Sequence, residues 1–424
     1  MISTIRFRAV SHTTAVLIAC AWLTACELDV TNPNAATEEG VLTTQAGLRA
    51  VAIGMQGRLG NALEEGIIIP GLISGELGNT NATQSTTREF QRFPTASANA
   101  QIEETNVELL DLWAKYYQVV KSANDVLDNI DNVGFAPDTK SGMTALAKLH
   151  KAIAFGSLIE AFQQLPIQNV ESPPFADRAA VLAEVLSLLA SARSDLTATA
   201  PSADFNNTIL APGFDLLNTI RAMQARYSLA AGQNAQALTF ANEVPVTASS
   251  VVAFTTLDQN PLSNWLHSAL FFGAISSFRT NAEAGDARVD LYTTTTPLSA
   301  FGGASLVETN IYHSVTDPIP LFTQDELTLI RAEALARQNQ LLLAIDQINI
   351  VRARAGLPGK TILDLPTQQA VLDEIYLQRT YSLFATGLHW ADQRRLGYIS
   401  EAKVAYLPYP FSERATNPNT PPNP

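Results

Sequence analysis

The strongest constraint on the fold of this chain is a run of apolar side chains with helical spacing in residues 107–130. Apolar residues recur there at steps of three and four, the spacing that places side chains on one face of an α-helix. The face consists of Leu109, Leu112, Trp113, Tyr116, Val120, Ala123, Leu127 and Ile130. The pattern predicts a helix packed against other helices, in which Trp113, Tyr116 and Tyr117 serve mainly in packing.

Other parts of the chain predict further helices that pack in pairs. Residues 144–162 and 179–196 carry similar helical patterns. Residues 219–244 and 327–358 each contain a helix, a turn and a returning helix. Helix pairs of about thirty residues are typical of tetratricopeptide repeats. We therefore expect a mainly all-α protein built from tetratricopeptide-like helix pairs.

Two long segments, 71–106 and 245–320, interrupt this helical pattern. They are rich in Gly, Ser, Thr and Asn, and loops of this length are usually functional or disordered. The second segment has too many aromatic residues for disorder, and its run "TTTTPLSAFGG" at 293–303 favours a β-hairpin. We expect these segments to form an irregular, loop-rich lobe with a minor hairpin beside the helices.

The N-terminus predicts a cleaved lipoprotein signal. Arg6 and Arg8 precede an apolar run at 14–22 that is too short to span a bilayer. The tetrapeptide "LTAC" that follows resembles a lipobox, in which the cysteine, here Cys26, is joined to diacylglycerol after cleavage before it. Several acyl chains, at about 0.8 kcal/mol per buried methylene, would anchor the protein durably. Because the other cysteine, Cys20, lies in the predicted signal, we expect no disulfide within the mature chain.

These patterns divide the chain into three predicted parts. They are a signal peptide at 1–25, a lipidated N-terminus and tether at 26–45, and a single domain at 46–424.

Charge excludes some classes of partner. Without the predicted signal the chain has 25 basic and 40 acidic residues, a formal charge of −15. Binding of nucleic acid or of anionic headgroups depends on basic patches, so neither is expected.

Three stretches of the C-terminal third carry a resemblance to a known family. They are "PIPLFTQDELTLIRAEALARQNQLLLAIDQINIVRARAGL" (318–357), "YLQRTYSLFATGLHWADQRRLG" (376–397) and "YLPYPFSERATNPN" (406–419). Together they resemble the SusD/RagB family of surface lipoproteins, which serve outer-membrane uptake of glycans and peptides. Upstream, "LWAKYYQVVKSANDVL" (112–127) resembles the first repeat helix of that family, and "GDAR" (285–288) resembles its Asp-x-Arg element.

The stretch 376–397 departs from the family pattern in several places. Gln378 stands where Glu is usual, Ser382 and Thr386 stand where acids are usual, and His389 stands where Arg is usual. The structural signature residues that the resemblance assigns are Arg379, Gly387, Trp390, Asp392 and Arg394. Arg379 falls on an apolar helix face, where an unpaired ion would cost several kcal/mol. We therefore expect it to pair with Asp392 as a structural ion pair.

The resemblance implies a right-handed α domain, an outer-membrane location at the cell surface through a lipid anchor, and no catalysis. It also implies binding of oligosaccharide or peptide nutrients and delivery to a SusC-like TonB-dependent transporter. Two alternatives stay open: a lipid-anchored α-helical glycan hydrolase, and a tetratricopeptide-type envelope scaffold.

Candidate ligand-binding residues lie in the two irregular segments. Sugar recognition combines aromatic faces with amides and guanidinium groups that meet hydroxyls. The candidates are Asn79, Asn81, Arg88, Phe90, Trp265, Phe271 and Arg279. For each of them, packing within the lobe is the competing interpretation.

No catalytic or cofactor motif stands out. The sequence has no Gly-x-Ser-x-Gly elbow, P-loop or His-Glu-x-x-His. Carboxylate pairs such as Glu64-Glu65 are common on solvated surfaces, and the isolated His150 favours packing over metal binding. We expect no cofactor and no metal.

The lipid anchor is tested by replacing its sulfur. We expect Cys26→Ser to abolish incorporation of radiolabelled palmitate, because serine cannot form the thioether. Cys20→Ser is the matched control and should label like the wild type. Equal labelling of the Cys26→Ser and wild-type proteins would contradict the prediction.

Overall fold

The computed structural model describes residues 38–83, 85–92 and 101–424. The chain from Leu42 to Pro424 forms one compact, mainly helical unit. The predicted signal peptide and Cys26 lie outside the described residues. Of the predicted tether, the described part contains a short helix, α1 (Glu38–Leu42).

The longest helix, α2 (Gln45–Ser74), was not predicted from the sequence. The side chain of Thr44 caps its start by accepting a hydrogen bond from the Gly47 N–H, and Gly75 ends it in the left-handed conformation. Residues 67–74 are buried on every side and include Pro70, so apolar side chains follow one another without helical spacing. None of the described helices combines the length and apolar composition that a bilayer crossing requires.

The predicted helix at 107–130 is confirmed as α4 (Val107–Asn129), which packs on α2. Asn106 caps it with its side-chain oxygen, and the predicted apolar face is buried apart from Leu127, which is half-buried. The next two predicted helices are confirmed as α5 (Pro137–Ala161) and α6 (Arg178–Ala198). Helix α5 packs between α4 and α6.

Both predicted helix pairs are present. The first is α8 (Leu216–Ala230) with α9 (Asn234–Glu243), and the second is α13 (Gln324–Arg337) with α14 (Leu341–Arg354). Each pair turns at a residue with positive φ, Gly232 in one and Asn339 in the other. The two pairs stack through α9 and α13, as tetratricopeptide repeats do. The prediction of a mainly all-α fold with tetratricopeptide-like pairs is therefore confirmed.

A four-stranded antiparallel sheet organises the loop-rich lobe. Its strands are β1 (Leu77–Asn79), β5 (Phe272–Ile275), β6 (Thr293–Leu298) and β7 (Leu306–Thr309), in the order β1-β5-β7-β6. The predicted hairpin is β6–β7. The sheet joins residues from both predicted irregular segments, because β1 belongs to the first and the other strands belong to the second.

Short elements complete the chain. The remaining helices are α3 (Ser85–Arg88), α7 (Ala203–Thr208), α10 (Pro261–Ser263), α11 (Ser277–Thr280), α12 (Arg288–Tyr292), α15 (Gln368–Ser382), α16 (His389–Leu396) and α17 (Phe411–Thr416). The remaining strands pair as β2 (Gln164–Pro166) with β3 (Phe175–Asp177) and β4 (Ser250–Val252) with β8 (Ile319–Phe322). A π-helical turn spans Asn264–Ser268, and 3₁₀ turns span Phe301–Gly303 and Ile399–Glu401.

Gly387 brings the turn between α15 and α16 into direct contact with α2. Its φ is +78°, a conformation that L side chains rarely adopt. A Cβ atom at this position would overlap the carbonyl oxygen of Gly66 in α2. The close backbone approach therefore requires glycine on two grounds, conformation and space.

These two grounds can be separated experimentally. We expect Gly387→Ala to lower the free energy of unfolding more than Gly397→Ala does, by about 2 kcal/mol. Gly397 is the matched control, because its φ is +93° but a Cβ atom at that position would meet no other atom within 4 Å. Equilibrium denaturation in urea measures the difference. Equal losses in the two variants would mean that the approach to Gly66 imposes no steric requirement.

Candidate functional site

The sheet brings parts of the two irregular segments onto one surface. The Thr80 N–H donates to the Phe271 carbonyl oxygen at 2.9 Å, and the Asn81 N–H donates to the Ser299 carbonyl oxygen at 2.9 Å. The Thr83 hydroxyl also donates to the Phe271 carbonyl oxygen, at 2.5 Å. We call this surface the loop face; it consists of residues 80–83, Arg88, Trp265, 270–271 and 299–301.

Trp265 and Phe271 are neighbouring half-buried aromatic side chains of the loop face. Trp265 stacks on the buried ring of Phe272, with centroids 5.3 Å apart, and meets Phe271 edge to face at 6.3 Å. It lies in the π-helical turn, and the Phe271 N–H donates to the Trp265 carbonyl oxygen at 2.8 Å. Such turns are rare in proteins overall, but those that occur are often found at functional sites. The packing fixes both rings while leaving part of each accessible.

A cation and a third aromatic ring lie on the same surface. The guanidinium carbon of Arg88 is 3.9 Å from the centroid of Phe301, within the range of a cation–π interaction. Its Nη2 atom donates to the Thr83 carbonyl oxygen at 2.7 Å. Phe301 was not among the predicted ligand residues. The sequence feature that could have indicated Phe301 as a ligand residue is its position in the Phe-Gly-Gly turn of the predicted hairpin.

Four of the seven predicted ligand residues belong to the loop face. They are Asn81, Arg88, Trp265 and Phe271. Asn81 is exposed, and its amide donates to the Ser299 hydroxyl at 2.7 Å.

The other three predicted ligand residues support the lobe from inside or bond elsewhere. Asn79 is fully buried, where its amide donates to Gln91 at 2.7 Å and accepts from the Thr87 hydroxyl at 2.8 Å. Phe90 is also fully buried. Arg279 pairs with Asp290 at 2.6 Å and donates to the carbonyl oxygen of Thr293. Asn79 and Phe90 are therefore closed off from solvent, whereas Arg279 is half-buried and has both Nη atoms hydrogen-bonded within the lobe.

The predicted pairing of Arg379 with Asp392 is confirmed. Arg379 Nε donates to Asp392 Oδ2 at 2.7 Å, and both side chains are buried. Arg395 joins Asp392, at 2.8 Å, to Glu333, at 2.9 Å. Burial of Glu333 opposes its charge, but Arg395 and Arg337 outweigh that effect and lower its pKa to about 2. We call Arg379, Asp392, Arg395, Glu333 and Arg337 the buried ion network; it joins α13, α15 and α16.

Trp390 and Arg394 also have structural partners. The Trp390 indole is buried and donates to the Val404 carbonyl oxygen at 2.8 Å. Arg394 lies over the Trp390 ring, 5.1 Å from its centroid, and pairs with Glu160 at 3.1 Å. These contacts fasten α16 to α5 and to the C-terminal segment.

The positions that depart from the family pattern retain polar contacts. Ser382 accepts from Arg288 at 2.9 Å and donates to Asp325 at 2.9 Å, so it links a cation to a carboxylate without adding charge. Arg288 also pairs with Asp286 at 2.6 Å, within the predicted Asp-x-Arg element. The Thr386 hydroxyl donates to the Leu383 carbonyl oxygen at 2.7 Å.

The Glu64-Glu65 pair corrects one prediction, because it is buried and not solvated. Lys115 pairs with both carboxylates, at 3.2 Å from Glu64. Burial and the neighbouring Glu64 raise the pKa of Glu65 to about 7. Glu65 also lies close to Glu108 and Asp111, but its side chain is only 2 % exposed. Since Lys115 already supplies a cation to the buried Glu65, we assign neither a metal ion nor a catalytic pair to this group.

The fold and the site define a class of protein: a tetratricopeptide-like α domain that carries a sheet-organised lobe. Solved structures of the same fold include a SusD superfamily protein from Bacteroides vulgatus, with 15 % identity over 89 % of this chain and 98 % of that chain (TM-score 0.72). NanU of B. fragilis shares 13 % identity over 93 % and 99 % of the two chains (TM-score 0.71). A laminarin-binding SusD-like protein shares 16 % identity over 88 % and 98 % (TM-score 0.68). No curated protein sequence matches the chain significantly.

Residues 316–423 match the family model described as the SusD family. This region contains the buried ion network and all of the structural signature residues. This match confirms the resemblance to the SusD/RagB family that the C-terminal sequence motifs predicted.

A buried histidine beside the network predicts a pH dependence of stability. His389 stacks on Tyr376 at 5.5 Å, and its burial lowers its pKa to about 4 from 6.5. As the pH falls from 6.5 to 4, the unfolded chain takes up a proton that the folded chain does not, so the free energy of unfolding falls. His389 contributes a loss of up to about 3 kcal/mol over this window.

Denaturation curves at a series of pH values measure this loss. We expect His389→Phe to flatten the acid side of the stability profile. His150 is buried as well, and burial lowers its pKa to about 4. The His389→Phe variant should therefore keep part of the acid dependence of stability, and a variant changed at both histidines should keep less of it. Parallel wild-type and His389→Phe profiles would exclude a role for His389 in the acid sensitivity.

Proposed function

We propose that this protein binds an oligosaccharide, or a peptide, at the loop face and delivers it unchanged to a SusC-like TonB-dependent transporter. In this proposal Cys26 carries the lipid that anchors the protein to the outer membrane at the cell surface. The observation that supports the proposal most directly is the convergence of two segments that are about 190 residues apart in sequence. Hydrogen bonds from Thr80 and Thr83 to residues 270 and 271 hold them together.

The chemistry of the loop face suits a hydroxyl-rich ligand. The accessible parts of Trp265 and Phe271 can pack against the apolar face of a pyranose ring. Asn81 can exchange hydrogen bonds with ligand hydroxyls, and Arg88 can donate to them. Because the sheet and the Arg88–Phe301 contact hold these groups before a ligand arrives, little ordering is needed on binding.

The relatives favour a saccharide over a peptide. One solved structure of the same fold is a laminarin-binding SusD-like protein, and another is a SusD-like carbohydrate-binding protein from Bacteroides vulgatus. The similarity of residues 316–423 to the SusD family also supports a transporter partner and membrane attachment. The identity of the partner is testable directly: a TonB-dependent barrel expressed with this chain should co-purify with it, whereas an envelope scaffold would bring other proteins.

Binding at the loop face is tested with matched aromatic variants. We expect Trp265→Ala and Phe301→Ala each to weaken binding at least about tenfold, equivalent to about 1.4 kcal/mol. Calorimetric titration with laminarihexaose, maltohexaose and a pool of short peptides measures the affinity. Phe240→Ala is the control, because Phe240 also lies beneath an arginine, Arg193, but on helix α9 of the helical body.

Two results would contradict the proposal. If mass spectrometry shows that the hexasaccharides become shorter during incubation with the protein, the hydrolase is favoured. Unchanged affinity in both loop-face variants would remove the loop face as the binding site.

A further inference from the structure

A concave site that shares no residue with the loop face lies along α4. It has a volume of about 470 Å³, and we call it the α4 groove. One wall is a stripe of α4 that includes Trp113, Tyr117 and Asn124. The other walls are the turn at 166–173 and the end of α17.

The α4 groove is separate from the loop face. Glu108, at the start of α4, accepts a hydrogen bond from the Thr86 hydroxyl at 3.2 Å, so this side of α4 faces the first irregular segment. At about 100° per residue, Tyr117 and Asn124 point roughly 160–180° away from Glu108 around the helix axis. The α4 groove and helix α3, which carries Arg88 of the loop face, therefore lie on opposite sides of α4.

Aromatic rings form the floor of the groove and are held in fixed positions. The Trp113 and Tyr117 ring centroids are 4.8 Å apart and the rings are inclined at 40°, and Tyr117 and Phe155 form a T-shaped pair with centroids 6.4 Å apart. The Tyr117 hydroxyl donates to the Pro166 carbonyl oxygen at 3.0 Å. Tyr117 is half-buried, so part of its ring is open to the groove, while Trp113 is only 5 % exposed.

Uncommitted amides lie beside these rings. Within the described part of the chain, the side-chain amides of Asn124 and Gln168 have no hydrogen-bond partner. Asn124 is half-buried and Gln168 is exposed. By contrast, the Asn417 amide is committed, because it donates to Glu413 and to the Pro173 carbonyl oxygen, each at 3.0 Å.

This combination defines the chemistry of a ligand. Amides both donate and accept hydrogen bonds, as sugar hydroxyls do, and a half-open phenol ring can cover the apolar face of a pyranose. The groove also has charges of both signs, from Lys121 and from Glu171 and Glu413, which gives it no strong preference for an ion. Its volume lies within the range of about 300–1,000 Å³ that is usual for small-ligand sites.

We propose that the α4 groove is a second binding site for one or two residues of a neutral saccharide. It acts independently of the loop face. A polymer long enough to reach both sites gains avidity, because binding at one raises the effective concentration at the other.

Fluorine NMR of the full chain labelled with 5-fluorotryptophan can observe the two sites separately. The chain has four tryptophans: Trp113 in the α4 groove, Trp265 in the loop face, the buried Trp390 as an internal reference, and Trp22 in the predicted signal. Single Trp→Phe variants assign the signals. The probes are laminarihexaose, maltohexaose, cellohexaose, mannohexaose and xylohexaose at millimolar concentrations, with short peptides as the alternative class.

We expect at least one hexasaccharide to shift the Trp113 signal saturably. The variant with both Asn124→Ala and Gln168→Ala should weaken this response about tenfold, since each amide loses a ligand hydrogen bond. Asn129→Ala is the matched control on the same helix; its amide donates to the Asp125 carbonyl oxygen, and Asn129 does not line the groove. Neither change should alter a response at Trp265.

The outcomes separate the two proposals. A shift at Trp265 without one at Trp113 overturns the groove and leaves the loop face standing. A shift of the Trp113 signal alone supports the α4 groove as a binding site and excludes the loop face as one. A Trp113 response that is lost in Trp265→Ala, or that is produced only by peptides, also overturns the saccharide groove.

Discussion

The architecture of the C-terminal region depends on two buried carboxylates, Asp392 and Glu333, that pair with three guanidinium groups. Each carboxylate is essentially inaccessible to water, so the loss of either would leave a buried cation without compensation. The network joins the last tetratricopeptide-like pair to α15 and α16. At Gly387 the turn between α15 and α16 contacts the backbone of α2. The position of α2, the longest helix, therefore also depends on this C-terminal region.

The packed helices position the loop face. Helix α2 leads directly into β1, and β1 pairs with β5, so the helical core determines where the first irregular segment meets the second. The half-open rings and the Arg88–Phe301 contact then lie on a surface supported by buried side chains such as Asn79 and Phe90. Residues predicted to bind a ligand therefore divide into those that form the surface and those that hold it in place.

Sequence patterns predicted the elements that have one buried and one solvent-exposed face. Helix α4 and both helix pairs follow the three-and-four spacing, and the need of Arg379 for a partner followed from its apolar helix face. Helix α2 was missed because its last eight residues, 67–74, are buried all round and therefore lack that spacing. The burial of Glu64 and Glu65 was missed for a related reason, since their partner Lys115 lies about fifty residues away in the chain.

The sequence alone determined the helical class of the fold, the order of its repeats and the SusD/RagB resemblance, because these depend on local spacing and on motifs of adjacent residues. Only the tertiary structure decided which candidate side chains share a surface. Phe301 contacts Arg88, although the two residues are far apart in sequence. Asn79 is buried beneath the surface and not exposed on it. The same holds for the α4 groove, whose walls come from three separate parts of the chain. Such long-range contacts depend on how the helices and strands pack, which no local pattern records.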